Sequence, residues 1–176
     1  MALEAAPVQV IFAPGTPAEF VIGSKEQLNA GTLTMEDMVG ELKTQASDAP
    51  ADKFFTGFNA KLEISIAEMD IEFFRRATNP MRYVVDTVDP SKRKIEYGDL
   101  TGLRVPKFQV LLKLYEGGIP TTNRDNWFTF LNAGIETMAT LTMSKTDQME
   151  YKTTIVAYPD PVTGIKVIRG DITANG

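Results

Sequence analysis

The chain has 176 residues, 43% of them hydrophobic and 23% charged, the profile of a globular domain that buries about two-thirds of its unfolded surface without covalent staples. Eighteen Lys and Arg against 23 Asp and Glu leave a net charge of −5, which argues against tight duplex-DNA binding through clustered cations. Cysteine and histidine are both absent, which excludes disulfides, zinc sites built on Cys or His, thiol nucleophiles and triads with an imidazole base.

Val8–Phe12 reads as a strand stopped at Pro14-Gly15, with Glu19–Ile22 as its short partner across Ala13-Pro-Gly-Thr-Pro17. Gly31–Met35 is a further short strand. Residues 36–59 carry the least pattern. Thr44–Ala51 is small and polar, and Phe54, Phe55 and Phe58 follow no single period, so the segment is expected to be a long loop: either a mobile one or a partner-binding arm. Ala60–Met69 then alternates strictly. Leu62, Ile64 and Ile66 fall on one face, and Lys61, Glu63, Ser65 and Ala67 on the other, which is the signature of a half-buried strand. Asp70 caps a short helix with Ile71, Phe74 and Ala77 on one side, ended by Asn79-Pro80.

From Met81 the pattern is β. Met81–Val88 and Arg93–Tyr97 flank Asp89-Pro-Ser-Lys92 as a hairpin, and Lys107–Tyr115 is a strand ending at Gly117-Gly118. Asn126–Ala133, with Asp125 near its cap and Gly134 as its stop, is expected to be a second short helix. Glu136–Met143 alternates again, and Met149–Tyr158 with Ile165–Arg169 enclose Pro159–Gly164 as a second hairpin. Strands dominate without alternating with helices, so the expected fold is mainly β: a small antiparallel β-barrel or sandwich with one or two short α-helices and a long extended loop. Residues 1–176 form a single domain, with 1–7 as an N-terminal arm and 170–176 as a C-terminal tail. No run approaches the roughly 20 apolar residues of a membrane helix. Met1–Pro7 lacks the features of a secretory signal, so synthesis and folding in a cytoplasm, without membrane binding, are expected.

Candidate chemistry is sparse. Gly98–Gly102 and Tyr115–Gly118 lack the Lys-Ser/Thr and the strand-to-helix setting of a phosphate loop, and read as turns. The carboxylates Asp86 with Asp89, and Asp147 with Glu150, lie beside loops, where charge is solvated rather than convergent. Lys92-Arg-Lys94 sits at a hairpin tip, where charge discourages edge-to-edge aggregation, and Arg75-Arg76 sits on the short helix. No catalytic, cofactor-binding or metal-ligating residue is assigned, no cofactor is expected, and the protein is not expected to be an enzyme. Many two-faced strands with open edges instead invite pairing with further copies, which closes the sheet in a ring.

The strand pair near Val8–Ile22, the long segment before Phe58-Asn-Ala-Lys-Leu-Glu-Ile-Ser-Ile-Ala-Glu, the short helix at Ile71–Ala77 and the closing Tyr151-Lys-Thr-Thr-Ile-Val-Ala-Tyr-Pro-Asp-Pro-Val-Thr-Gly-Ile together resemble the major tail tube proteins of long-tailed, siphovirus-like bacteriophages, which share their fold with type VI secretion tubes. The resemblance implies a structural virion protein of the tail, assembled in the host cytoplasm, whose homohexameric rings stack into a hollow tube that conducts DNA from capsid to host. It implies passage of DNA without specific binding, a tape measure protein in the lumen, and tail tip and tail terminator proteins at the ends. On that basis Lys61, Glu63, Ser65 and Ala67 face the lumen, Lys61 pairing with a neighbour's carboxylate, and Phe54, Phe55 and Phe58 on the 36–59 inter-subunit loop contact the adjacent ring. A head–tail joining or decoration protein, and a monomeric ligand-binding β-barrel, are the alternatives with similar composition.

Overall fold

The computed structural model describes residues 8–23, 27, 30–44, 47–67, 71, 75, 82–99, 101–137 and 151–174. Among these residues there are eleven strands: β1 (Val8–Phe12), β2 (Phe20–Ile22), β3 (Thr32–Thr44), β4 (Ser47–Ile66), β5 (Arg82–Val85), β6 (Arg93–Glu96), β7 (Phe108–Glu116), β8 (Ile119–Pro120), β9 (Trp127–Thr137), β10 (Tyr151–Tyr158) and β11 (Val167–Arg169). The main sheet runs β2-β1-β7-β9-β10-β4-β3, with β8 on β7 and β11 on β9, while β5 and β6 form a separate hairpin.

The sheet is open rather than a closed barrel: among the described residues no ladder joins β3 to β1 or β2. It is nonetheless strongly curled. Gln27, bridged to Ile66, donates its side-chain amide to the Val8 carbonyl, and Gly31 lies so close beneath β1 that a Cβ there would sit 3.0 Å from Val8 Cγ2 and 3.1 Å from Ile64 Cγ2. One apolar core fills the curl, drawing Val10, Ile22, Leu62, Ile64, Val110, Leu112, Phe130 and Ile155 from six strands. Each such side chain contributes about 1.5–3 kcal/mol when fully buried.

Three sequence expectations give way. The segment expected to be helical at 126–133 is a strand from Trp127 onward, preceded by a 3-10 turn (Arg124–Asn126) that Asn123 caps through its side chain. Phe128 and Phe130 alternate into the core, and Thr129 is also buried because β9 is a central strand with β7 on one edge and both β10 and β11 on the other. Gly134 ends no helix. A Cβ there would meet Val105 Cγ1 at 2.6 Å and the Pro106 carbonyl at 3.1 Å, so it marks the place where the 105–106 loop crosses β9.

Second, β10 and β11 are not a hairpin. Both lie antiparallel along the same edge of β9, β10 at Asn132–Thr137 and β11 at Phe128–Phe130, so the chain makes an excursion at 159–166 and rejoins that edge. Third, 36–59 is no loop. β3 and β4 pair from Thr32↔Glu63 to Thr44↔Ser47, and beyond the last β4–β10 pair, Lys61↔Val156, they continue alone as a two-stranded ribbon. At about 3.4 Å per residue, Glu36–Thr44 carries the ribbon roughly 30 Å past the sheet.

Other expectations stand. β1 pairs with β2, β5 pairs with β6 across the Asp89–Lys92 turn, and β7 turns into β8 through Gly117 (φ 61°) and Gly118 (φ 84°), the left-handed pair that a two-residue hairpin requires. Ile71 and Arg75 are helical; the rest of the helix expected at 70–77, the 1–7 arm, the strand expected beyond Thr137, and Asp147 with Glu150 lie outside the described residues. The segment after β11 folds back on the body: the Gly170 N–H donates to the Trp127 carbonyl, and Asp171 pairs with Arg124.

Candidate functional site

Two surfaces carry the residues singled out from the sequence. The first is the outer face of β4, β10 and β3. Leu62, Ile64 and Ile66 are 0%, 2% and 1% exposed, while Lys61 and Glu63 point to solvent, Ser65 is half-buried, and Ala67 is half-buried just beyond the end of β4. Cross-strand neighbours extend this wet face: Thr34 and Val156 flank Lys61, Thr32 and Thr154 flank Glu63, and Lys152 stands opposite Ser65. Lys61 pairs within its own strand, its Nζ 3.0 Å from Glu63 Oε1. A pair this exposed is worth at most about 1 kcal/mol. It does remove a free cation from the face.

The second surface is the ribbon. Alternation along β3 puts Asp37, Val39 and Glu41 on the core-side face. On β4 a bulge intervenes: Met38 faces Gly57 and Val39 faces Phe55, leaving Thr56 as the extra residue. The bulge brings Phe55 onto the same face as Phe58 despite their odd spacing. Phe58 is half-buried against the core, and Phe55 with Val39 continues that apolar face outward at 77% and 51% exposure. Phe54 takes the opposite face, directly across from Gly40 and beside Met38. Phe55 and Phe58 therefore share one side, and Phe54 does not. Farther out, Lys53 and Glu41 pair at 3.7 Å.

At the root of the ribbon β4 parts from β10 and a cleft of about 540 Å³ opens, lined by Glu36, Asn59, Lys61, Glu136, Tyr158 and Lys166 among others. Tyr158 donates its hydroxyl to Glu136, and burial together with that carboxylate pushes its phenol up to about 12. Lys107 Nζ stacks 4.3 Å from the Tyr158 ring centre. Lys166, whose place in the cleft nothing in the local sequence signals, reaches across it to the Phe58 carbonyl.

The remaining candidates are turn chemistry. Asp86 accepts from the Val88 and Asp89 N–H groups at 2.8 Å each, Asp89 from Ser91, Asp99 from Thr101, Asp160 from Val162 and Thr163, and Asp171 from Thr173. Those hydrogen bonds favour the charged form and hold each carboxyl below its usual range. Lys92 and Lys94 pair with Asp89 (3.5 Å) and Glu96 (2.6 Å) within the β5–β6 hairpin, and Arg75 lies 4.8 Å from the Tyr83 ring centre. Among the described residues no group of three or more acidic side chains is placed to hold a metal ion, and no helix is long and apolar enough to cross a membrane.

No protein-family model and no curated protein matches the chain. Among solved structures it is similar to a chain in the cryo-EM structure of the anti-feeding prophage baseplate, six-fold symmetrised, with 13% identity and a TM-score of 0.45 over 94% of this chain and 93% of that one.

Proposed function

We propose that the protein is a structural, non-enzymatic virion component whose hexameric rings stack into a phage tail tube conducting DNA. The observation that carries this reading is the ribbon: a two-stranded arm roughly 30 Å long that continues the core's apolar face into solvent through Phe55 at 77% exposure. A lone two-stranded ribbon gains little stability by itself and exposes its apolar groups, so a second surface that covers it supplies the missing burial. A further copy of the chain is the partner that needs no other gene product, and head-to-tail contacts between identical copies generate rings and stacks. The wet β4–β10 face, with Lys61 neutralised by Glu63, suits a lumen wall that lets a polyanion slide.

Negative-stain microscopy of purified protein, alone and with a nucleating tail tip complex, tests the proposal. Hollow filaments are expected from the intact chain, and soluble folded subunits without filaments from a variant lacking residues 44–51. Filaments from that deletion overturn the role of the ribbon. Single rings that never stack identify a joining protein instead, and particles that stay monomeric with the tail tip present overturn the tube.

A further inference from the structure

The fork where the ribbon leaves the sheet has a specific chemical gap. β4 and β10 run in strict register from Ile66↔Tyr151 to Lys61↔Val156. The ladder itself stops at Lys61↔Val156, with Ala60 and Ala157 already outside it and lining the cleft, so β10 gives no ladder donor to the Phe58 carbonyl. The Lys166 ammonium supplies the missing donor from 108 residues away in sequence. It stands at the end of the 159–166 excursion, just before β11 rejoins β9, and the Lys166 carbonyl accepts from the Leu131 N–H at 3.3 Å, so its backbone is tied to the central strand. Above this contact the ladder of the described ribbon runs between β3 and β4 alone.

We infer that Lys166 is a latch that fixes the direction of the ribbon by donating to the Phe58 carbonyl beyond the end of the β4–β10 ladder. The inference deepens the assembly reading: it rests on the ribbon being the docking arm and assigns the control of its orientation. A pre-oriented arm loses less conformational freedom on docking than a swinging one. The bond is charge-assisted and bridges two segments that share no ladder at this point, so its loss acts on the ribbon root and leaves the β1, β7 and β9 ladders intact.

Hydrogen exchange of the unassembled protein tests the latch without requiring a tube. In Lys166→Met, which keeps most of the aliphatic stem, amides at 36–41 and 53–59 are expected to exchange about tenfold faster, with β1, β7 and β9 unchanged. Lys166→Arg restores protection. Unchanged exchange in Lys166→Met, or an equal rise across the whole sheet, overturns the latch. If the latch holds in exchange while the wild-type chain forms no filaments with the tail tip, the tube reading fails and the latch survives. If both hold, Lys166→Met raises the protein concentration at which filaments appear about tenfold.

Discussion

Phe54 stands directly opposite Gly40 across the ribbon, and its ring occupies the space that a side chain on Gly40 would fill. A Cβ there would lie 2.9 Å from Phe54 Cζ and 2.8 Å from Thr56 Cγ2. Glycine in a strand gives up packing, and the facing aromatic ring recovers it by covering the bare backbone. Gly40→Val forces the ring and the adjoining bulge aside, at a local cost of about 1–3 kcal/mol. The expected outcome is faster hydrogen exchange at 38–41 and 53–57 with an unchanged global melting temperature; protection equal to wild type shows that the ring does not hold this position.

The same neighbourhood explains what sequence reading reached and what it missed. Strict alternation at 60–66 places Leu62, Ile64 and Ile66 inside because that stretch of β4 is paired without a bulge, to β10 over 61–66 and to β3 up to Glu63. Eight residues earlier the same strand was illegible, since the extra residue at Thr56 shifts the parity and leaves Phe54, Phe55 and Phe58 without a common period. At Trp127–Ala133 the apolar residues are dense on both faces of a central strand, so period two was hidden and Gly134 mimicked a helix stop while serving a crossing loop. The Lys166–Phe58 contact at the fork is out of reach of the sequence, because it joins segments 108 residues apart that only the folded sheet brings together.

Opposite faces of β4 predict opposite sensitivities. Leu62→Ala removes a side chain with 0% exposure from the core and is expected to cost about 2–5 kcal/mol in urea unfolding. Glu63→Gln, one residue away, breaks an ion pair whose side chains are 48% and 51% exposed, and after screening by solvent it shifts stability by less than about 1 kcal/mol. Comparable losses from the two substitutions contradict the assigned faces. In assembled tubes Glu63→Gln also releases Lys61 as a free cation on the wet face, so slower DNA ejection, relieved by added salt, is the expected companion effect.

Acid stability follows from the capped turns. Hydrogen bonds from Thr173, and then Arg124, hold the Asp171 carboxyl at about 2, below its ordinary value of 3.8, and Asp86, Asp89, Asp99 and Asp160 are lowered in the same sense. A carboxyl depressed in the folded state stabilises it above the unfolded value, and that stabilisation is lost as pH falls from 3.8 towards 2. The melting temperature is therefore expected to hold above pH 5 and to drop between about 4 and 2. Asp171→Asn keeps an acceptor for the Thr173 N–H but cannot ionise, so its melting temperature falls less steeply over that interval; parallel curves for the two proteins remove Asp171 from the acid response.

Phe55 and Phe58 share a face and differ in what covers them, which separates folding from assembly. Phe58 packs against the subunit's own core, so Phe58→Ser exposes apolar neighbours and costs about 1–3 kcal/mol of unfolding free energy. Phe55 is 77% exposed, so Phe55→Ser leaves the isolated subunit within about 0.5 kcal/mol of wild type. If another copy covers that ring, its removal abolishes stacking, because aromatic side chains buried at the centre of an interface carry a large share of the binding energy. Urea midpoints paired with sedimentation of assembled material read both effects at once. A Phe55→Ser subunit that is stable and still forms filaments at wild-type concentrations shows that the outer ribbon face is not the docking surface.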